Sequence, residues 1–123
     1  MDIRKKCQSH LWLLTGTSEG RVFTESLLQA GWKITVSVVS ERAALAYIDL
    51  PLERILVGPI RDEVEIRKII FEQRINKNGF HCVVDLTHPF ATIITSSISK
   101  VCKELNQPLI RFEREIENTS NSY

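Results

Sequence analysis

Residues 11–21 carry the sequence LWLLTGTSEGR, and the rest of the architecture follows from this stretch. Its first four residues form a continuous apolar run, which is typical of a strand buried on both faces of a parallel sheet. The small and polar residues 15–18 then end the strand in a tight turn. Helix character follows at residues 19–30, and Gly31 is expected to end that helix as its C-terminal cap. The stretch therefore predicts the first half of a βαβ unit.

Four further strands are predicted downstream of this unit. They lie at residues 33–39, 54–57, 82–86 and 109–112, where short apolar runs rich in β-branched residues occur. Strands that alternate with helices favour a parallel sheet. The sequence therefore predicts an α/β fold, a Rossmann-like three-layer arrangement in which about five parallel strands carry helices on both faces.

Three more helices are predicted between those strands. A short one covers residues 40–47 with Ser40 as its N-cap, and a second runs from Asp62 to about Ile75. A long helix is expected directly after Pro89, because proline suits the first helical position. The apolar residues expected to share the inward faces of the helices are Val22, Phe23, Leu27, Leu28, Ile66, Ile69, Ile70, Phe90, Ile94, Ile98, Val101 and Leu105.

The composition indicates one globular domain and excludes several classes of protein. Of the 123 residues, 43% are apolar, and 16 basic residues against 15 acidic ones leave a net charge of +1. This balance gives no reason to expect a nucleic acid or a membrane as partner. The three cysteines form no CxxC pair, so neither a disulfide framework nor a metal site is expected. Cys82 and Cys102 fall in apolar segments and are predicted to be buried thiols in a protein of the reducing cytoplasm.

The turn after the first strand is the first candidate binding site. In a doubly wound sheet this turn lies at the carboxyl end of a central strand, where small residues and the free amides of a helix start favour phosphate binding. The alternative is an ordinary tight turn that Ser18 caps, and the local pattern leaves both readings open. The candidate cofactor-binding residues here are Gly16, Thr17, Ser18, Glu19 and Gly20.

The end of the second strand is the second candidate site. In dinucleotide-binding folds an acidic residue here favours a free ribose 2′-hydroxyl, and an arginine accommodates a 2′-phosphate. This chain has both, with Glu41 between Ser40 and Arg42. Ser40 and Arg42 are therefore candidate ligands of a ribose phosphate, and a solvated helix start capped by Ser40 is the alternative.

The turn after the fourth predicted strand is the third candidate site. Asp85, Thr87 and His88 follow that strand and are expected at the same sheet edge as Gly16. A histidine at this edge could bind an anionic ligand or transfer a proton. The alternative is that Thr87 or His88 caps the next helix while Asp85 accepts hydrogen bonds from loop amides.

A charged cluster at the end of the last predicted strand is the fourth candidate. It contains Arg111, Glu113 and Arg114, which are expected at the same edge of the sheet. Taken alone, this cluster is equally compatible with a solvated run of charges.

Together, these segments resemble the precorrin-6A reductases. The matching motifs are the turn at residues 16–21, the Val-Ser pair at 36–37, the Asp-Leu-Thr-His-Pro-Phe-Ala stretch at 85–91 and the Pro-Leu-Ile-Arg-Phe-Glu-Arg strand at 108–114. One departure is Thr15, where the family usually has another glycine. Members of the family are also longer, since they contain a second α/β half.

The resemblance implies a division of the chain and a reaction. It implies an N-terminal extension at residues 1–10, a nucleotide-binding domain at 11–115 that corresponds to the N-terminal half of a two-domain reductase, and a polar tail at 116–123. The implied activity is that of an NADPH-dependent oxidoreductase of cobalamin biosynthesis, which reduces the precorrin-6A macrocycle, or its cobalt form, to precorrin-6B. The implied partner is the missing C-terminal half or a second copy of the chain.

The resemblance also assigns roles to residues. Thr87 and His88 are expected closest to the reacting groups, as the candidate catalytic residues. Arg21, Arg111 and Arg114 are expected to bind the carboxylates of the tetrapyrrole. Two other functions stay open, namely a stand-alone nucleotide-binding or regulatory module and an inactive truncated remnant.

Overall fold

A computed structural model of the chain describes residues 9–16, 19–88 and 90–112. Within these residues five strands and four helices alternate strictly, beginning and ending with a strand. The strands are β1 (His10–Thr15), β2 (Lys33–Val38), β3 (Arg54–Val57), β4 (Cys82–Leu86) and β5 (Leu109–Arg111), and the helices are α1 (Glu19–Gln29), α2 (Glu41–Ala44), α3 (Glu63–Lys77) and α4 (Thr92–Glu104).

The five strands form one parallel sheet in the order β3-β2-β1-β4-β5. The central strand β1 pairs with β2 on one side and with β4 on the other, so that Leu13 lies between Val36 and Val84. The chain moves outward from β1 in one direction through β2 and β3, and then in the other direction through β4 and β5. The strand order therefore reverses between β1 and β4, and ligands of such sheets bind in the crevice at that reversal.

Two separate hydrophobic cores lie on the two faces of the sheet. Leu11 and Leu13 of β1 face α1 and α2, whereas Trp12 and Leu14 face α3 and α4. Trp12 is fully buried, stacks on Phe80 with ring centroids 5.5 Å apart, and donates from Nε1 to Ser37 Oγ at 2.8 Å. The unbroken apolar run of β1 arises because successive side chains enter opposite cores. The predicted α/β fold, with helices on both faces of a five-stranded parallel sheet, is confirmed.

The helix boundaries follow from local capping. The Asp62 carboxylate accepts a hydrogen bond from the Glu65 amide at 3.0 Å, and Ser40 Oγ accepts from the Ala43 amide at 3.1 Å. Both residues were predicted as N-caps, and both predictions are confirmed. The helix α3 continues two residues beyond the predicted end and stops at Asn78, whose left-handed φ of 77° cannot continue a helix.

The start of α4 differs from the prediction. The helix begins at Thr92 rather than directly after Pro89, which itself lies outside the described residues. A turn precedes it, because the Ala91 amide donates to the His88 carbonyl at 2.9 Å and the Phe90 amide donates to His88 Nδ1 at 3.1 Å. Phe90 is consequently 73% exposed instead of facing the core. Val22 of α1 is also exposed, contrary to its predicted inward position.

The opposite edge of the sheet, where the strands begin, contains a buried histidine. The Nε2 atom of His10 lies 2.7 Å from Thr35 Oγ1, and its Nδ1 atom lies 2.8 Å from Gln73 Nε2. The ring of Phe80 meets the imidazole edge-on, with centroids 5.3 Å apart. Burial lowers the pKa of His10 below its ordinary value, so this position favours the neutral ring.

Cys82 and Cys102 are free, buried thiols, as predicted. Burial raises the pKa of Cys82 and raises that of Cys102 to about 11. Within the described ranges, no group of three or more His, Cys, Asp or Glu side chains is placed to hold a metal ion. Among the helices of that same part of the chain, none combines the length and the apolar character needed to cross a membrane.

Candidate functional site

The turn after β1 lies directly against the turn after β4. Gly16 is exposed at the end of β1, and α1 begins three residues later at Glu19. A Cβ atom added at Gly16 would lie 3.3 Å from the backbone nitrogen of His88 and 3.4 Å from the Cα atom of Thr87. A side chain at position 16 would therefore press on the β4 turn and fill the space beside it. Thr17 and Ser18 lie outside the described residues.

Gly20 has a packing role that the sequence did not reveal. The residue is buried in the first turn of α1, where an added Cβ would collide with the hydroxyl of Tyr47 and lie 3.0 Å from Thr15 Cβ. Tyr47 is itself buried, and burial raises the pKa of its phenol. The absence of a side chain at Gly20 thus lets α1 approach β1 closely, as the third glycine does in dinucleotide-binding folds.

The end of β2 has the geometry of a solvated helix start. The Oγ atom of Ser40 caps α2, and the side chains of Glu41 and Arg42 are exposed in its first turn. The structural alternative for Ser40 is therefore confirmed. Its capping bond uses one acceptor position of the hydroxyl, which remains able to donate. The predicted contact of Ser40 and Arg42 with a ribose phosphate stays a prediction.

A hydrogen-bonded network connects the turn after β4 to α4 and β5. The Oδ1 atom of Asp85 accepts from the Thr87 amide at 2.9 Å and from the Thr87 hydroxyl at 2.6 Å. Its Oδ2 atom accepts from Thr95 Oγ1 at 2.9 Å and from Arg111 Nη1 at 3.0 Å. Asp85 is only 1% exposed, so this charge is held by its partners rather than by water.

His88 is exposed at the edge of the sheet that faces the crevice. Its ring contacts the ring of Phe90, with centroids 5.1 Å apart, and its Nδ1 atom accepts the Phe90 amide. Because Nδ1 accepts a hydrogen bond, a neutral His88 carries its proton on Nε2. In the neutral ring Nε2 is therefore available to donate, while the His88 backbone nitrogen lies beside Gly16.

The three arginines predicted to bind substrate have different surroundings. Arg21 donates to the Ala46 carbonyl at 2.6 Å and to Asp49 Oδ1 at 2.7 Å, which ties α1 to the segment after α2. The bond from Arg21 lowers the pKa of Asp49. Arg111 belongs to the Asp85 network, and Arg114 lies outside the described residues. Their contact with a substrate stays a prediction.

A cleft of about 290 Å³ opens where these turns meet. The ends of β1, β2 and β4 contribute to it, as does the turn after β3, and its walls are mainly apolar. The sequence placed Gly16, Thr87 and His88 at this edge but not Val39 or Ile60. The Gly-Pro turn at residues 58–59, which follows the carboxyl end of β3, was the available signal for Ile60. The lining residues are Leu14, Thr15, Gly16, Ser37, Val38, Val39, Gly58, Pro59, Ile60, Thr87, His88, Ala91 and Ile94.

A second groove of about 340 Å³ lies next to the cleft, between the N-terminal ends of α3 and α4. Ile60, Ala91 and Ile94 line both spaces, so the two are contiguous. Phe90 and Ile93, which are 73% and 84% exposed, form its outer side. The surface that borders the cleft is therefore apolar and open.

Comparison with known proteins identifies relatives over most of the chain. A family profile described as precorrin-6x reductase CbiJ/CobK matches residues 10–122. A cobalt-precorrin-6A reductase from Synechocystis sp. is 33% identical over 107 residues, which are 85% of this chain and 38% of that protein. A precorrin-6A reductase from Mycobacterium tuberculosis is 34% identical over 103 residues, or 83% of this chain and 38% of that protein. The chain thus spans little more than a third of these curated relatives.

A solved structure shares the fold. A chain described as CobK precorrin-6A reductase superposes with a TM-score of 0.69 at 24% sequence identity, covering 88% of this chain and 38% of that one. The family resemblance inferred from the four motifs is confirmed by the profile and by the curated relatives.

Proposed function

The chain belongs to the precorrin-6x reductase CbiJ/CobK family, and from this premise we propose that it forms the nucleotide-binding part of an NADPH-dependent reductase of precorrin-6A or its cobalt form. When bound, NADPH supplies a hydride, so that one new C–H bond forms on the macrocycle and NADP⁺ is released. A proton taken up from water balances the reduction. The product in the proposed reaction is precorrin-6B, or its cobalt form when the substrate carries cobalt.

The contact of the Gly16 turn with the Thr87–His88 turn is the observation that carries this proposal. The two turns meet at the reversal of strand order, where α/β sheets bind nucleotides. Gly16 leaves its backbone open to a phosphate, and the N-terminal end of α1 begins at Glu19 and favours a negative charge. These features fit the pyrophosphate of a dinucleotide, and the same proposal extends to Thr17, Ser18 and Gly20.

NADPH is proposed over NADH because of the residues that follow β2. Arg42 is exposed beside the end of that strand, and its guanidinium could pair with a 2′-phosphate through charge-assisted bonds. The Ser40 hydroxyl, which already caps α2, retains a proton to donate to the same group. Glu41 opposes this choice, so the preference has to be measured.

The β4 turn is proposed to face the reacting groups. In this role Thr87 and His88 are the candidate catalytic residues, with His88 donating from Nε2 to the nucleotide or the macrocycle. Arg21, Arg111 and Arg114 are proposed to pair with substrate carboxylates. For Arg21 such a contact would compete with its bond to Asp49.

The proposed enzyme is completed by a second wall. The sheet edge described here forms one side of a cleft, and the contiguous groove beside it stays open and apolar. Hydride transfer requires donor and acceptor carbons to approach to about 3–3.5 Å with water kept out. We propose that a C-terminal half like that of the longer relatives, or a second copy of the chain, supplies the other wall, because these 123 residues span 38% of the relatives.

Calorimetric titration of the 123-residue chain with NADPH and with NADH tests the nucleotide site. The native chain is expected to bind NADPH weakly and more tightly than NADH. Gly16→Val should abolish binding, since the new side chain would occupy the phosphate approach and press on the His88 amide. Ser26→Val is the matched control, because it adds the same side chain at an exposed position of α1. Unchanged affinity in a folded Gly16→Val variant would remove this site.

An absorbance assay of NADPH oxidation with precorrin-6A tests the reaction. The 123 residues alone are expected to turn over precorrin-6A at a negligible rate, and addition of a C-terminal half, fused or as a separate chain, should give activity. Enzyme-like turnover by the chain alone would exclude a C-terminal half as the second wall and favour a second copy of the chain in its place. NADPH binding without activity in the completed protein would favour a stand-alone nucleotide-binding module.

A further inference from the structure

We propose that Asp85 and Arg111 form a positioning pair that fixes the turn bearing Thr87 and His88 at the nucleotide cleft, and that Thr95 supports this pair from α4. The inference rests on the proposed function, since it concerns how the proposed site is held. It assigns to Asp85 and Thr95 a part in the site that the motif alone does not give them. In this role Arg111 needs no contact with the substrate.

The geometry around the Asp85 carboxylate is the first support. Four hydrogen bonds reach the carboxylate: both bonds to Oδ1 come from Thr87, and the two bonds to Oδ2 come from Thr95 of α4 and Arg111 of β5. Four donors fill the acceptor positions of one carboxylate. Asp85 is therefore saturated, and it acts as an anchor between the turn and the two elements behind it.

The partners hold one another as well as Asp85. Arg111 Nη1 lies 2.8 Å from Thr95 Oγ1 and 3.4 Å from Thr87 Oγ1, and the hydroxyl groups of Thr87 and Thr95 are 3.3 Å apart. The turn is thus bonded to α4, to β4 and to β5 at once. A displacement of Thr87 would break several of these bonds together, which is how a network restricts a loop.

The arrangement follows from the sheet register. Asp85 and Arg111 are directly paired positions on the neighbouring parallel strands β4 and β5, and the Phe112 amide donates to the Asp85 carbonyl at 3.1 Å. Parallel strands carry paired residues to the same face, so the opposite charges are brought together by the sheet itself. The side chain of Asp85 is 2% exposed and that of Arg111 is 20% exposed. A charge this deeply buried requires a partner.

The turn held in this way is the one that forms the cleft. Thr87 is bonded directly to Asp85, and the adjacent His88 backbone nitrogen is the atom closest to the open side of Gly16. If the hydrogen bonds of Asp85 were weakened, the backbone of His88 would therefore shift relative to Gly16. We expect the affinity for NADPH to depend on residues that lie behind the turn and do not reach the cleft.

Variants of Thr95 and Arg111 test the positioning pair in the full chain. Asp85→Asn is unsuitable alone, since the unpaired Arg111 charge could prevent folding. Thr95→Val keeps the shape of the side chain and removes its hydroxyl, Thr95→Ser restores the hydroxyl, and Arg111→Lys keeps the charge but loses the planar fork. Ser99→Ala, on the exposed side of α4, is the control. The measurements are amide hydrogen exchange at Thr87, the Kd for NADPH and the melting temperature.

In Thr95→Val and Arg111→Lys, exchange at the Thr87 amide is expected to accelerate about tenfold, with a similar rise in the Kd for NADPH, the change that one hydrogen bond to a charged group is worth. Thr95→Ser and Ser99→Ala should behave as the native chain. A fall in melting temperature without faster exchange at Thr87 would overturn the proposal, as would faster exchange with an unchanged Kd. If the native chain binds no NADPH, the proposed function fails, whereas faster Thr87 exchange would still support the pair as the anchor of the turn.

Discussion

Replacing Gly20 by alanine has two opposite effects on stability: it improves helix propensity, and it overpacks the contact between α1 and β1. Alanine is the better helix former, and on propensity alone the substitution would stabilise α1 by up to about 1 kcal/mol. The structure predicts the opposite outcome. The new Cβ would collide with the Tyr47 hydroxyl and lie 3.0 and 3.1 Å from the Cβ and Cγ2 atoms of Thr15.

The size of the expected loss in stability follows from the residues that surround the new Cβ atom. Thr15 and Tyr47 are both buried, so neither can move into solvent to relieve the contact. Overpacking of this kind costs about 1–3 kcal/mol, and the upper part of that range is appropriate for three close contacts. After subtraction of the gain in helix propensity, the free energy of unfolding should fall by about 1–2 kcal/mol, which corresponds to roughly 4–8 °C in Tm for a chain of this size.

Thermal and urea unfolding of Gly20→Ala, Tyr47→Phe and the double variant give the assay. Tyr47→Phe alone should lower the free energy of unfolding by at most about 1 kcal/mol, the contribution of one hydroxyl that forms a hydrogen bond. In the double variant the colliding hydroxyl is gone, so the two losses should fall short of additivity by about 1 kcal/mol. A higher Tm for Gly20→Ala, or additive losses, would refute the packing role assigned to Gly20.

Three further predictions concern the cofactor, the buried histidine and the thiols. Arg42→Ala should remove most of the preference for NADPH over NADH in calorimetry, since a charge-assisted contact contributes roughly 1.5–3 kcal/mol; equal affinities in the native chain would exclude that contact. Because burial lowers the pKa of His10 below 6.5, the unfolded chain binds its proton more readily, and the free energy of unfolding should fall as the pH drops below about 6.5. His10→Gln should make the Tm depend less on pH in this range, and an unchanged dependence of Tm on pH would contradict the assignment to His10. With the pKa of Cys102 raised to about 11 and that of Cys82 also raised, iodoacetamide at pH 8 should leave both unmodified in the folded chain and alkylate both in urea, as peptide mass spectrometry would show.

The strands were predictable because each is a short apolar run bounded by residues that end strands. The start of α4 was not, because it depends on the His88 ring accepting the Phe90 amide, a contact that helical periodicity does not reveal. The same periodicity assigned Phe90 to the core, although the turn exposes it.

The sequence predicted where the residues of the candidate site lie in the fold, but not which of them contact one another. The sequence placed Asp85 and Arg111 at one edge of the sheet, but their pairing depends on the register between β4 and β5. Thr95 joins them from a helix ten residues further along the chain, where no motif marks it. The packing at Gly20 likewise requires Tyr47, which only the folded chain brings to α1.

The position of β1 between β2 and β4 has a consequence for the order in which the molecule assembles. Leu11 pairs with Ile34 across one short helical connection, but it pairs with Cys82 only after most of the chain has been synthesised. Closing the longer loop costs more chain entropy, and such distant pairing slows folding. The β1–β2 unit is therefore expected to form first and the β1–β4 contact later, so that the crevice is a late product of folding. Pulsed hydrogen exchange during refolding should protect the strand amides of Ile34 and Val36 before those of Val83 and Val84, and simultaneous protection would show that the sheet forms in one step.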